Sequence, residues 1–321
     1  MSEVTPIFLL SLPRSGSTLL QRLLGAQRGV ATASEPWVLL PLVYTLRDRG
    51  VVAEYDHGSL RRGVDDFCRE LPAGEHTYRM ELRTLALSLY AQASPPDATF
   101  FLDKTPRYHL IVEELFGMFP EARFVFLWRN PLGVVASTVE TWARGRWSVH
   151  RWGIDLYEGL TNLVDARRRH GDMASSVRYE DLVTDPEVEL QRICEYIGVP
   201  FDPDVLSGLD NRLLRGRLGD QTGAERYGEV SQEPLDKWKH VLANPLRKAW
   251  CRRYLDWIGA ERLEAMGYDR LDILEELNEV PVSWRSMVSD ALRMSRGEVI
   301  ARRQRALFDR AVRRPGMNPV R

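Results

Sequence analysis

Arg14, Lys104 and Arg129 each stand just past a short apolar run, and Glu35 follows a fourth extended piece. Arginines at strand ends suit an anionic ligand, since ligands of parallel sheets bind outside the strands' carboxyl ends.

The first of these sites is the most telling. Ile7 to Leu12 reads as a strand, Pro13-Arg14-Ser15-Gly16 as a short turn, and Ser17-Thr18-Leu19-Leu20 as the start of an amphipathic helix. Such a join aims free backbone N–H groups and the positive end of a helix dipole at one point, where an anion sits well. The nucleotide-phosphate loop G-x-x-x-x-G-K-[ST] is close but different. Gly16 and Thr18 keep its register, while Ser11 stands at its first Gly and Ser17 at its Lys. The positive charge comes instead from Arg14, inside the loop. The spacing therefore predicts an anion site that is not built for a triphosphate with Mg²⁺. A plain helix start with Ser/Thr caps is the competing reading.

A second join repeats the pattern. Arg123 to Trp128 reads as a buried strand, Arg129 as its carboxyl end, Asn130 as an N-cap and Pro131 as a first helical residue. Gly133, Ser137 and Thr141 recur at every fourth position and share one helix face, a small polar stripe able to admit a phosphate. A Walker-B strand would end in an acidic Mg²⁺ ligand; this one ends in Arg. For Arg129 the plainer reading is a surface salt bridge, and for Ser137 a small packing residue.

Together these residues resemble the sulfotransferases that use 3′-phosphoadenosine 5′-phosphosulfate (PAPS). Pro13-Arg14-Ser15-Gly16-Ser17-Thr18 is similar to that family's 5′-phosphosulfate loop, and Arg129 with Ser137 to its 3′-phosphate element. Asp103-Lys104-Thr105-Pro106-Arg107-Tyr108 and Val177-Arg178-Tyr179-Glu180-Asp181-Leu182 also look familial, and all four come in the family's order. The resemblance spans roughly residues 5 to 260. It implies a P-loop-like α/β fold, PAPS as sulfuryl donor, 3′-phosphoadenosine 5′-phosphate (PAP) as product, and no metal. It also implies roles. Arg14, Ser15, Gly16, Ser17 and Thr18 would hold the 5′ end and Lys104 would meet the bridging oxygen of the leaving group. Arg129 and Ser137 would hold the 3′-phosphate, Tyr179 would lie on the adenine side, and Glu35 would be the general base. Other members use a His, so His57, His109 and His150 are rivals to Glu35. The stretch from Leu218-Gly219-Asp220-Gln221 to Ser231 resembles a loop that closes over the nucleotide, with Arg226 and Tyr227 as candidate contacts. Arg144 and Arg146 stand near a second Arg that some members carry.

The elements needed to position these residues are present. Strands near 6–12, 30–34, 100–102, 123–128 and 177–179 alternate with helices near 17–26, 108–119 and 186–197, while 38–95 is mainly helical and irregular. Alternation of this kind predicts a central parallel sheet flanked by helices, with ligands outside the strands' carboxyl ends. Residues 38–95 and 143–170, rich in Trp, Tyr, His and Arg, are expected to shape the acceptor pocket. The chain of 321 residues is expected to divide into an α/β domain over 1–280 and a helical extension over 281–321.

Composition sets outer limits. Charge is balanced, 44 Lys and Arg against 45 Asp and Glu, which argues against nucleic acid as a partner. Three widely spaced cysteines, Cys68, Cys194 and Cys251, give neither a disulfide framework nor a zinc pattern. No run is long enough to span a membrane, and few residues precede the first strand, so a soluble cytoplasmic enzyme is expected. From Trp284 to Arg321 there are ten Arg, no Lys and three acidic residues. Trp284, Val288, Leu292, Val299, Ile300, Leu307 and Ala311 recur at roughly helical spacing there. That segment reads as a helix packed on the body or on a second copy in a homodimer. Two other functions stay in competition: a kinase-like phosphotransferase, and a non-catalytic nucleotide-binding scaffold.

Overall fold

The computed structural model describes residues 4–297 apart from 49, 52 and 208–229. Five strands, β1 (Thr5–Leu10), β2 (Val30–Thr32), β3 (Phe100–Asp103), β4 (Arg123–Trp128) and β5 (Ala174–Arg178), form one parallel sheet in the order β2-β3-β1-β4-β5. Ile7 pairs with Leu102 on one side and with Arg123 on the other. The chain reverses its winding about β1, so the loop after β1 sits at the point where such sheets open to ligands.

The strands are apolar throughout because both faces are covered. On one face Ile7, Leu9, Val125 and Leu127 pack with Leu20, Leu23 and Leu24 of helix α1 (Ser17–Gly25) and with Leu190, Ile193 and Ile197 of helix Pro186–Ile197. On the other face Phe8, Leu10, Phe124 and Phe126 meet helices Glu75–Ala93, Val112–Met118, Pro131–Thr141, Leu160–His170 and Pro245–Ile258. Phe116 and Phe124 stack there at 3.8 Å between centroids.

Two elements differ from the sequence reading. The last strand ends at Arg178, and Tyr179 opens a short helix, Tyr179–Thr184. Glu180 and Asp181 in its first turn complement the helix dipole, and Arg178 clasps the Asp181 carboxylate at 2.6 and 2.5 Å. The helix expected near 108–119 is split into a 3₁₀ turn, Pro106–Leu110, and helix Val112–Met118, with Ile111 at φ −127° between them.

Residues 287–297 are helical and lie against the body. Asp290 is buried and accepts from Arg247 Nε at 2.7 Å and Nη2 at 3.2 Å. Gly297 lies so close to the His150 ring that a side chain there would collide with it. Val288 and Leu292, two of the apolar residues at helical spacing, are exposed on the single chain (77 and 56 %). The rest of the C-terminal motif, from Val299 on, lies outside the described residues. Cys68, Cys194 and Cys251 are free and buried. Among the described residues no helix is long and apolar enough to cross a membrane.

Candidate active site

Every strand delivers one of the candidate residues to the same edge of the sheet. In spatial order Glu35 follows β2, Lys104 follows β3, the Pro13–Gly16 turn follows β1, Arg129 follows β4 and Tyr179 follows β5. With strands about 4.8 Å apart, the row spans roughly 19 Å.

At its centre the chain turns sharply. Arg14 has φ 68° and Gly16 φ 90°, left-handed conformations that a non-glycine residue adopts at some cost. Arg14 is held there from both ends. Its Nε donates to Ser137 Oγ and its Nη2 to Thr141 Oγ1, both at 3.2 Å, while its carbonyl accepts from Arg129 Nη1 at 2.9 Å. The stripe Gly133, Ser137, Thr141 therefore faces the loop, and Gly133 gives room to the Arg129 side chain. Ser15 and Ser17 are buried, and Thr18 is half-buried. The first N–H groups of α1 have no intrahelical partner. Ser11 Oγ, just before the turn, is buried without a hydrogen-bond partner. Such a cradle fits an anion.

Arg129 is a strut as well as a cation. Its guanidinium lies over the Tyr179 ring at 4.4 Å, and its Nη2 donates to the Pro234 carbonyl at 3.3 Å. The Tyr179 ring in turn lies against Gly16, where a Cβ would fall inside the ring's van der Waals surface. Glu180 ties the same corner together, accepting from the Asn130 N–H at 3.0 Å and from Tyr268 OH at 2.5 Å.

At the other end of the row, Lys104 Nζ meets Glu35 Oε1 at 2.8 Å, with side chains 1 and 12 % exposed. Trp37 Nε1 donates to Glu35 Oε2 at 3.2 Å. Trp37 has φ 58°, a strained conformation for a bulky residue that costs about 1–3 kcal/mol. Behind the pair lies Asp103, wholly buried. Its carboxylate accepts from Thr105 Oγ1 at 2.9 Å, Tyr90 OH at 2.6 Å and Tyr108 OH at 3.0 Å. Burial pushes the Asp103 carboxyl up to about 6, against the opposing pull of those hydroxyls and of Lys104.

Two of the three rival histidines are hydrogen-bonded to other groups. His57 Nε2 pairs with the Arg47 carbonyl at 2.7 Å. His109 is buried on Asp155, 3.0 Å away, beside the bidentate Arg107–Asp155 pair. Asp155 is presented by a π-helical turn, Ile154–Gly159, whose Gly159 lets the His109 ring lie against the backbone. His150 is half-buried, and burial and the neighbouring Arg151 lower its pKa. Arg144 and Arg146 are exposed. Gly219, Arg226 and Tyr227 lie outside the described residues.

The family model described as "Sulfotransferase family" matches residues 6–203, which hold the whole row. The chain belongs to this sulfotransferase family. Nodulation protein NoeE of Sinorhizobium fredii is 28 % identical over 304 residues, covering 84 % of this chain and 68 % of that one. The Drosophila melanogaster protein-tyrosine sulfotransferase is 25 % identical over 209 residues, 64 and 40 % of the two chains. The sulfotransferase domain of the Synechococcus PCC 7002 olefin synthase shares the fold, with a TM-score of 0.52 and 24 % identity over 74 % of this chain and 89 % of that one. The kinase-like and scaffold readings are set aside: the chain is an enzyme of sulfuryl transfer on the P-loop-like sulfotransferase fold.

In this sulfotransferase several positioning groups escaped the sequence reading. Asp103 and Thr105 sat inside a motif valued only for Lys104. Trp37 signalled itself by its place two residues after Glu35, although no local pattern announces a left-handed tryptophan. Glu180 lay beside Tyr179, but its partner Tyr268 is far off in the chain. Among the described residues no group of three or more His, Cys, Asp or Glu is arranged to hold a metal ion.

Proposed function

We propose that this enzyme moves the sulfuryl group of PAPS to a hydroxyl of a sugar, lipid or other small-molecule acceptor, with Glu35 as general base. The observation that carries the reading is the Lys104–Glu35 contact of 2.8 Å at two adjacent strand ends, next to the loop of Arg14. The acceptor oxygen attacks sulfur in line as its proton passes to Glu35. The bond from sulfur to the bridging oxygen breaks, and the charge left on the 5′-phosphate falls to Lys104, Arg14 and the N–H groups of residues 15–18. Ser17 and Thr18 add hydroxyl donors. Arg129 and Ser137 take the 3′-phosphate, and Tyr179 borders the adenine. The half-buried indole of Trp37 flanks the acceptor side. Three unpaired buried thiols fit a reducing, cytoplasmic setting.

Calorimetric titration with PAP, with and without Mg²⁺, tests the donor assignment. Binding should be independent of the metal and weaken about 10- to 100-fold in Arg129→Ala, as loss of a charged hydrogen-bonded contact requires. Ser137→Ala should weaken it less. Absence of PAP binding, or binding of ATP alone and only with Mg²⁺, overturns the reading.

A further inference from the structure

The Glu35–Lys104 pair sits on two chain segments 69 residues apart, and the structure contains a device that registers one against the other. The carboxylate of Asp103 accepts only. Thr105 and Tyr108 each give it their single hydroxyl proton, so their oxygens are left to accept. Thr105 Oγ1 accepts from the Trp37 N–H at 3.2 Å, and Tyr108 OH from the Leu39 N–H at 3.1 Å. Two relays thus run from one buried carboxylate at the end of β3 to two amides of the segment carrying Glu35. The first secures the left-handed turn at Trp37, whose indole holds Glu35 Oε2. Lys104 is the residue next to Asp103.

We propose that Asp103 is the positioning residue of the Glu35–Lys104 pair, acting through the hydroxyls of Thr105 and Tyr108 to set the segment 35–39 opposite Lys104. It touches no substrate. The inference rests on the reading of Glu35 and Lys104 as the reacting pair. Tyr90 supplies a comparison. It donates to the same Oδ2 as Tyr108 and is equally buried, but its ring stacks on Phe101, whereas the Tyr108 hydroxyl also accepts from the Leu39 N–H.

Four variants separate a relay from general support: Asp103→Asn, Thr105→Val, Tyr108→Phe and Tyr90→Phe. Asn can accept at one atom only, so either Thr105 or both tyrosines lose their acceptor. The assay is PAP release from PAPS with 4-nitrophenol as acceptor, paired with amide hydrogen exchange over residues 36–40, which needs no acceptor. The first three variants should lower kcat about 10- to 100-fold, the cost of roughly 1 Å of misplacement. They should leave the PAP dissociation constant within about twofold, because only transition-state positioning is lost. Exchange at Trp37 or Leu39 should quicken in the same three. Tyr90→Phe should keep kcat within about threefold and leave that exchange slow, whatever its melting temperature. Equal damage from Tyr90→Phe and Tyr108→Phe overturns the relay, as does unchanged exchange in the three relay variants. Glu35→Gln, run alongside, distinguishes the failures: if it stays active, the assignment of the pair has failed; if it is dead while the relay variants are not, the positioning role has.

Discussion

Replacing Gly16 by Ala tests whether the loop, Tyr179 and Arg129 are one mechanical unit. Two costs can be read from the structure. The backbone at φ 90° charges any L side chain about 1–2 kcal/mol. The added Cβ also overlaps Cδ2 and Cε2 of Tyr179, so the ring must withdraw. That ring carries the Arg129 guanidinium at 4.4 Å, a contact worth about 0.5–2 kcal/mol. The expected loss is therefore about 2–3 kcal/mol in urea denaturation, with weaker PAP binding by calorimetry. The decisive comparison is the same change in a Tyr179→Ala background. There the clash is gone and only the backbone cost of about 1–2 kcal/mol remains. A coupling of about 1 kcal/mol or more between the two sites is expected, as for directly touching residues. Equal costs in both backgrounds would refute the claim that Tyr179 is what demands glycine at position 16.

Glu35→Gln should lower kcat about 10²- to 10⁴-fold as loss of a general base, and Lys104→Met about 10²- to 10³-fold as loss of a leaving-group donor. Initial rates of PAP release check both, and a loss under about tenfold in either removes that residue from the chemistry. The Asp103 carboxyl rises from 3.8 to about 6 on folding, so the folded chain holds this proton more tightly. That stabilisation is complete below pH 3.8 and is lost as the pH climbs through 6. A two-unit rise is worth about 3 kcal/mol. Wild type should lose that much relative to Asp103→Asn between about pH 4 and 7 in denaturation curves, and a gap that does not change with pH contradicts the burial argument. Asp290→Ala leaves Arg247 buried without its partner and should cost about 3–5 kcal/mol. The double replacement Arg247→Met with Asp290→Leu should cost less than Asp290→Ala alone, and denaturation midpoints that fall further in the double variant speak against an uncompensated charge as the cause.

The strand ends were legible in the sequence because a parallel sheet buried on both faces writes its strands as unbroken apolar runs. The residue after each run is then exposed to ligand by topology alone. Arg14, Glu35, Lys104 and Arg129 needed nothing further to be placed on one edge. Tyr179 was misread as sheet because Val177-Arg178-Tyr179 places a β-branched and an aromatic residue at alternate positions, as a strand does. What ends the strand at Arg178 is the pair of acids that follows, one of them clasped by Arg178 itself. The docking face of the 287–297 helix was illegible for a different reason. It runs through Met287, Asp290, Met294 and Gly297, and no hydropathy pattern marks Asp or Gly as inward-facing. Asp290 is buried because Arg247, 43 residues earlier, waits for it, and a partner that distant leaves no local trace.

The row divides into two units with different electrostatic tasks. Around β1, β4 and β5 stand Arg14, Arg129 and the N–H groups of the loop, and the acids nearby have partners of their own: Glu180 accepts from Asn130 and Tyr268, and Asp181 from Arg178. That half gathers negative charge. Around β2 and β3 Lys104 meets Glu35 in a place nearly closed to water, with the Asp103 carboxyl behind them held by three hydroxyls. A buried ammonium needs a counter-charge, and a buried carboxylate needs donors; the pair satisfies both while no substrate is present. On the proposed reading, an anionic donor stretched along the row offers Lys104 another partner at the moment Glu35 is needed by the acceptor proton. Glu35 then keeps the Trp37 indole as its remaining donor, which holds the carboxylate in place without the charge that would blunt its basicity. Matching the charges of the pair, and fixing Glu35 from the side away from Lys104, are therefore two requirements of the same step.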